Sequence, residues 1–349
     1  MTVKNELLDR LSKLAPDLDS IAKWPAEQLQ LCAKYDVFKW FVSEQYGGIG
    51  SSPQEIVQGY IQLASACLTT AFVITQRTAA CKRIALSENK GIKDALLPKL
   101  AHGEVFATVG ISHLTTSHRH LAKPVLTATC TNTGWLLNGF SPWVTGAANA
   151  DFFVAGAVTE SGDQILLAID SSADGLVFPD PFPTIALPAS QTGKVEFHCV
   201  EVANEMLIAG PTPNVLKSGP AASTGGLQTS ALAIGLATSA VEFVAGQPKE
   251  RVNLIPNARA LRHELDRLRF NIVSLASGEL VCSSEQLRIE VNSFVLRATQ
   301  SALIAAKGAG FVDGHPAGRW CREALFFLVW SCPQVVSDAN LCEFAGIAE

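Results

Sequence analysis

The chain has 349 residues, enough to bury a sizeable core in one large domain or a few smaller ones. Hydrophobic residues make up 48% and charged residues 17%, which excludes a disordered chain; a net charge of −5 excludes a basic field for nucleic acid or an anionic membrane. The nine cysteines are scattered, with no CxxC and no zinc spacing, and "MTVKNELLDRLSKLAPDLD" lacks an apolar export core, so reduced thiols in a cytoplasmic protein are expected.

In chain order, "NELLDRLSKLA", "PAEQLQLCAKYDVFKWF", "PQEIVQGYIQLASACLTTAFVITQRTAACKRIAL" and "KDALLPKLAHG" repeat apolar residues at steps of three and four and predict helices. Pro25 and Pro53 sit where first-turn prolines belong, and Gly47, Gly48 and Gly50 punctuate a loop. The pattern then changes. "VFATVGIS", "VLTATCTN", "GWLLNGFSPWVTG", "ADFFVAGAVT", "QILLAID" and "KVEFHCVEV" are short, rich in β-branched residues and bounded by Gly, Asn, Asp and Pro, as in an antiparallel β domain. Helical periodicity returns in "GGLQTSALAIGLATSAVEFVAG", "NARALRHELDRLRFNIVSLASGEL", "SSEQLRIEVNSFVLRATQSALIAAKG" and "AGRWCREALFFLVWSC". The uncharged run Ser218–Val241 is long enough to span a bilayer, but its Ser, Thr and Gly content reads as a buried helix. The expected class is α+β in three zones: helices over 1–103, an antiparallel β domain over 104–210 and a four-helix bundle over 211–349.

Four motifs in this order resemble the acyl-CoA dehydrogenase superfamily, over nearly the whole chain from about Val37. "EQYGGIG" (44–50) is similar to the family's glycine loop, and "LPKLAHGEVFATVGIS" to its Leu-Pro-x-Leu-x-x-Gly-Glu strand entry. "LLNGFSPWVTGAANADFFVAGAV" follows the Leu-Asn-Gly…Trp-Ile-Thr…Ala-Asp signature, and "KGAGFVDGHPAGRWCREA" the Gly-rich His-Pro-x-x-Arg-x-x-Arg-Asp-Ala pattern.

The resemblance implies a flavin, FAD with FMN as the alternative. Trp143 would stand by the flavin ring and Thr145 near its N5; read without the flanking motifs, the pair is a core Trp followed by a turn-capping Thr. Ser112 falls where the family bonds the pyrimidine edge, and Ser117 or His118 where it holds the pyrophosphate. Arg251 and Gly308–Gly310 match the positions that reach the flavin of a partner subunit, so a homodimer or homotetramer is implied. His113, His118 and His120 cluster without a carboxylate, which leaves a metal, a phosphate or substrate contact, or an uninvolved loop; no metal is expected.

The family's catalytic Glu position falls on Ser331, in "WSCP", and the site that a minority of members use falls on Gly225. A hydroxyl is too weak a base for α-proton abstraction. Three readings follow: a dehydrogenase acting on the CH–CH group of an acyl thioester, passing electrons to an electron-transfer flavoprotein or O₂; a flavin monooxygenase served by a flavin reductase, with Ser331, Ser112 and His113 near the ring; or a non-catalytic homologue. Glu323 and Glu343 are the alternative bases should a loop shift the register.

Overall fold

The computed structural model describes residues 3–115, 124–217, 226–247 and 251–347. Five helices come first: α1 (Asn5–Ser20), α2 (Ala26–Lys34), α3 (Pro53–Ala66), α4 (Leu68–Ala85) and α5 (Lys90–His102). In α1 the buried Leu7, Leu11, Ala15 and Leu18 recur at helical steps and form one apolar face. Pro53 opens α3, where the Ser52 hydroxyl accepts from the Glu55 N–H and the Glu55 carboxylate accepts from Ser52. The long apolar pattern that predicts one helix breaks at Cys67, whose extended backbone (φ −157°) separates α3 from α4.

The central strands are β1 (Ala107–Gly110), β2 (Leu126–Cys130), β3 (Gly134–Thr145), β4 (Phe152–Thr159), β5 (Gln164–Asp170), β6 (Leu176–Val177), β7 (Thr192–Ala203) and β8 (Leu207–Thr212), with the single turn α6 (Ser112–Thr115) after β1. The sheet runs β6-β7-β3-β2-β4-β5-β8, with β1 beside β4. Most neighbours are antiparallel as expected; β1 and β2 both lie parallel to β4, beside its first and second halves. The strands β6 and β8 are additions to the sequence reading.

The last helices are α7 (Gly226–Ala245), α8 (Ile255–Ala276), α9 (Ser284–Ala306), α10 (Pro316–Val329) and α11 (Gln334–Ala345). Helices α7 to α10 form the expected bundle, and α11 packs on α9 as a fifth member that the periodicity did not predict. Leu227–Ala245 is the one described segment long and apolar enough to cross a membrane; here it is the central core helix, packed on α3, α8 and α9. Gly235 makes the α3 approach possible, since a Cβ there would stand 2.5 Å from the Ile61 carbonyl oxygen.

One apolar core joins the two helical zones, from Leu7 and Tyr60 through Ile234 and Leu265 to Phe294 and Phe327. Each such side chain contributes roughly 1.5–3 kcal/mol on burial. A second cluster packs α4 and α5 on β1, β4 and β5, through Ile84, Leu97, Val109, Val154 and Leu166.

Candidate active site

Where α4, the end of β1, the 184–192 loop and the α10–α11 turn converge, they enclose a cavity of about 1040 Å³. Ser112, Trp143 and Ser331, distant in sequence, all line it. Trp143 is 40% exposed, with its ring 4.7 Å from that of Phe182, so it presents an aromatic wall. The tight turn behind it needs glycine: Gly146 has φ +63°, and a Cβ there would stand 2.2 Å from the Trp24 ring.

Thr145 sits behind the wall and does not line the cavity. Its hydroxyl is 2.9 Å from that of Thr192, which does line it, and Thr192 is in turn 3.0 Å from the Ser190 hydroxyl. The Thr145 carbonyl accepts from Thr108 at 2.8 Å, so the end of β3 is held to β1.

Ser331 occupies the turn after α10, between Trp330 and Pro333. Its φ of +45° is in the left-handed region, as is that of Leu187 (+56°), which also lines the cavity. Such non-glycine conformations cost about 1–3 kcal/mol and persist only where surrounding structure enforces them. Here the enforcement comes from three rings: Phe72 on α4 meets Phe326 at 4.8 Å and Trp330 at 4.9 Å, and the latter two stack at 5.4 Å.

The other expected residues lie elsewhere. His113 is buried, donating from Nε2 to the Gly156 carbonyl at 2.7 Å, and is not among the residues that line the cavity. Ser117, His118, His120 and Gly225 lie outside the described residues. Arg251 donates from Nη1 to Gln247 at 3.0 Å and to the Ala305 carbonyl, which brings it to the turn Lys307–Phe311 that holds Gly308 and Gly310. These three residues form a separate group, away from the lining of their own chain's cavity.

Neither alternative base lines the cavity. Glu323 is buried in the bundle with Arg319 Nε at 3.5 Å, and burial pushes its carboxyl up to about 7 despite that cation. Glu343 is exposed and accepts from the Ser293 hydroxyl. Among the described residues lining the cavity there is no Asp or Glu.

Sequence reasoning missed the α4 wall. Phe72, Thr75, Gln76, Ala79 and Arg83 face the cavity from one side of a helix that is buried nearly all round. Opposite them, Gln228 and Thr229 of α7 add polar groups, and Arg322 of α10 pairs with Asp19 of α1. No periodic signal set them apart, because Thr69, Thr70, Arg77 and Thr78 are polar residues on the buried faces of the same helix.

A cavity of this size, with an exposed aromatic face and hydroxyl groups beside it, fits a planar aromatic cofactor together with a small substrate. Comparison with known proteins agrees with the motifs. Residues 2–104 match the family model "Acyl-CoA dehydrogenase, N-terminal domain". A short-chain-specific acyl-CoA dehydrogenase of Clostridium acetobutylicum is 22% identical over 342 residues, covering 90% of this chain and 88% of that protein. Butyryl-CoA dehydrogenase from Megasphaera elsdenii superposes with a TM-score of 0.78 at 17% identity, over 99% of this chain and 98% of that one. A dibenzothiophene monooxygenase from a Paenibacillus species also superposes with a TM-score of 0.78 at 17% identity, over 98% and 96%. The chain is thus a homologue of the acyl-CoA dehydrogenases: it carries their N-terminal domain over residues 2–104 and has their fold throughout.

Proposed function

We propose that this chain is a flavin-dependent oxidoreductase acting on the CH–CH group of an acyl thioester or a related substrate, with Ser331 at the family's Glu position. What supports the reading is the meeting of Ser112, Trp143 and Ser331 on one cavity in a chain homologous to acyl-CoA dehydrogenases. FAD, or FMN, would lie along Trp143 and supply a two-electron acceptor. The Ser112 hydroxyl would hold the edge of the ring, and the Ser190–Thr192–Thr145 chain of hydroxyls would fix the strand end beside it. Ser117 and His118 remain the proposed pyrophosphate contacts. Arg251, Gly308 and Gly310 would serve the flavin of a partner subunit in a homodimer or homotetramer. The reaction would run in the cytoplasm, with an electron-transfer flavoprotein or O₂ taking the electrons.

Ser331 cannot hold a substrate proton at neutral pH, because an unassisted hydroxyl is not ionised there at useful population. Its role is to donate or accept a hydrogen bond at the substrate, while Phe326 and Trp330 exclude water. A second reading, a monooxygenase of the same fold served by a flavin reductase, is favoured by the acid-free cavity lining, since that chemistry needs no carboxylate at the Glu position.

The test begins with the visible spectrum of the purified protein and of Ser331→Glu, each then titrated anaerobically with saturated acyl-CoAs. A flavin spectrum that bleaches only in the Glu variant supports the placement of Ser331 but counts against CH–CH oxidation by the native chain, and leaves the monooxygenase reading. Fast bleaching of the wild type would mean that another group is the base. A protein that stays colourless with added FAD and FMN overturns the flavin reading.

A further inference from the structure

Among the described residues, two arginines line the cavity, and their situations differ. Arg322 has a carboxylate to answer its charge, Asp19 of α1. Arg83 has none within ion-pair distance among the described residues, and its guanidinium makes a single hydrogen bond there, from Nη1 to the Ala79 carbonyl at 3.0 Å, one turn back in its own helix. Burial alone pushes its pKa down, to about 10, with no neighbouring acid opposing the shift. Lys82 beside it is pushed down as well, first by burial and then by the Arg83 charge. A guanidinium carries five donors in a planar fork, and taking it from water without a counter-charge is costly. A basic residue in the last turn of a helix answers the helix dipole, but Lys82 meets that need and the dipole does not call for a cation in a cavity wall.

The place of Arg83 along the cavity is also fixed. Phe72 packs on Trp330, next to Ser331, and from Phe72 to Arg83 the helix rises about 16 Å. Thr75 and Gln76 line the stretch between them. The cavity therefore has its serine turn at one end and an unanswered cation toward the other.

We propose that Arg83 receives an anionic oxygen group, phosphate or carboxylate, of the ligand that fills this cavity, at the end remote from Ser331. The assignment rests on the cavity being the ligand site named above, whichever reaction proceeds there. The group has three chemical sources: the phosphate of the flavin, the phosphates of a thioester carrier, or a carboxylate at the far end of the acyl part. A guanidinium binds all three through paired N–H donors, which an ammonium does not reproduce.

The test is calorimetric binding of riboflavin, FMN, FAD, hexanoyl-CoA and adipoyl-CoA to the wild type, Arg83→Gln and Arg83→Lys, with circular dichroism to verify folding. Arg83→Met supplies a neutral side chain suited to an apolar wall should the Gln variant fold poorly. The neutral variants are expected to lose about 10- to 100-fold in affinity for at least one anionic ligand, with riboflavin binding unchanged and the Lys variant intermediate. A loss confined to FMN and FAD assigns the flavin phosphate. Equal loss for both thioesters assigns the carrier, and a loss confined to adipoyl-CoA assigns the acyl carboxylate. Wild-type affinity of the neutral variants for every anionic ligand overturns the proposal, as does an equal loss for riboflavin, or a wild type that binds none of the anionic ligands. A wild type that binds thioester through Arg83 but no flavin overturns only the flavin reading.

Discussion

Phe72 of α4 and Trp330 at the end of α10 meet edge to face, their ring centroids 4.9 Å apart and their planes at 86°. Through this contact an N-terminal helix holds the C-terminal turn that carries Ser331. Phe72 is 2% exposed, so Phe72→Ala should cost about 3 kcal/mol, read as a lower urea midpoint at unchanged m-value. Phe72→Leu should cost less than half of that. Equal stability for the alanine variant and the wild type would mean that the rings do not secure the turn.

The backbone of Ser331 gives a second prediction. At φ +45°, Ser331→Gly relieves the left-handed strain and adds unfolded-chain entropy, so stability should stay within about 1 kcal/mol of wild type. Ser331→Val places a β-branched residue where such residues rarely go and should lower stability by about 1–2 kcal/mol. Thermal unfolding of the two variants side by side is the measurement. A valine variant as stable as the glycine one would argue against the strained turn.

Glu323 predicts a pH dependence. Burial raises its folded-state carboxyl to about 7, above its ordinary 4.5, so the folded protein holds this proton more tightly than the unfolded chain. The stabilisation from that proton is complete below about 4.5 and is lost as pH rises through about 7. Glu323→Gln should therefore gain stability over wild type at pH 8, by up to about 3 kcal/mol, and show little gain at pH 4.5. Tm curves of both proteins across this range test the sign; a gain larger at low pH would refute it.

Arg77 is fully buried in the helical core, its guanidinium 3.8 Å from the centre of the Phe38 ring. One nitrogen donates to the Leu100 carbonyl, while Nε and Nη1 find no hydrogen-bond partner among the described residues. Each unmet donor costs about 1–3 kcal/mol, against about 2 kcal/mol for a desolvated cation–π contact. Arg77→Met should therefore hold or raise Tm, whereas Arg77→Ala leaves a cavity and should lower stability by a few kcal/mol. A methionine variant that loses as much as the alanine one would show that the charge itself is required.

The architecture was legible because periodicity changes character twice, near Gly103 and again beyond Thr212. What escaped was short or mixed in its signals. β6 has two residues, and β8, "LIAGPT", contains the Gly and Pro that ordinarily mark a turn. α11 has no clear apolar face, and the α3–α4 break at Cys67 involves neither Gly nor Pro. Within the site, motifs led to Ser112, Trp143 and Ser331, but depth is not written in a motif. Thr145 lies one hydroxyl behind Thr192, and His113 turns to β4. Arg83 stayed hidden because α4 is buried on nearly all sides, so no period distinguishes its cavity face from its core face.

The core shared by the two helical zones sets the order in which the protein can be made. Ile61 and Ala64 of α3 pack against Gly235 of α7, a helix that begins only after the entire sheet has been encoded. On a ribosome adding ~5–20 residues per second, the first helices wait on the order of tens of seconds for that partner. During this interval their apolar faces are open to chaperones and to other nascent chains. The sheet, whose strands pair among themselves, can close first and bring the two halves of the helical core within reach of each other.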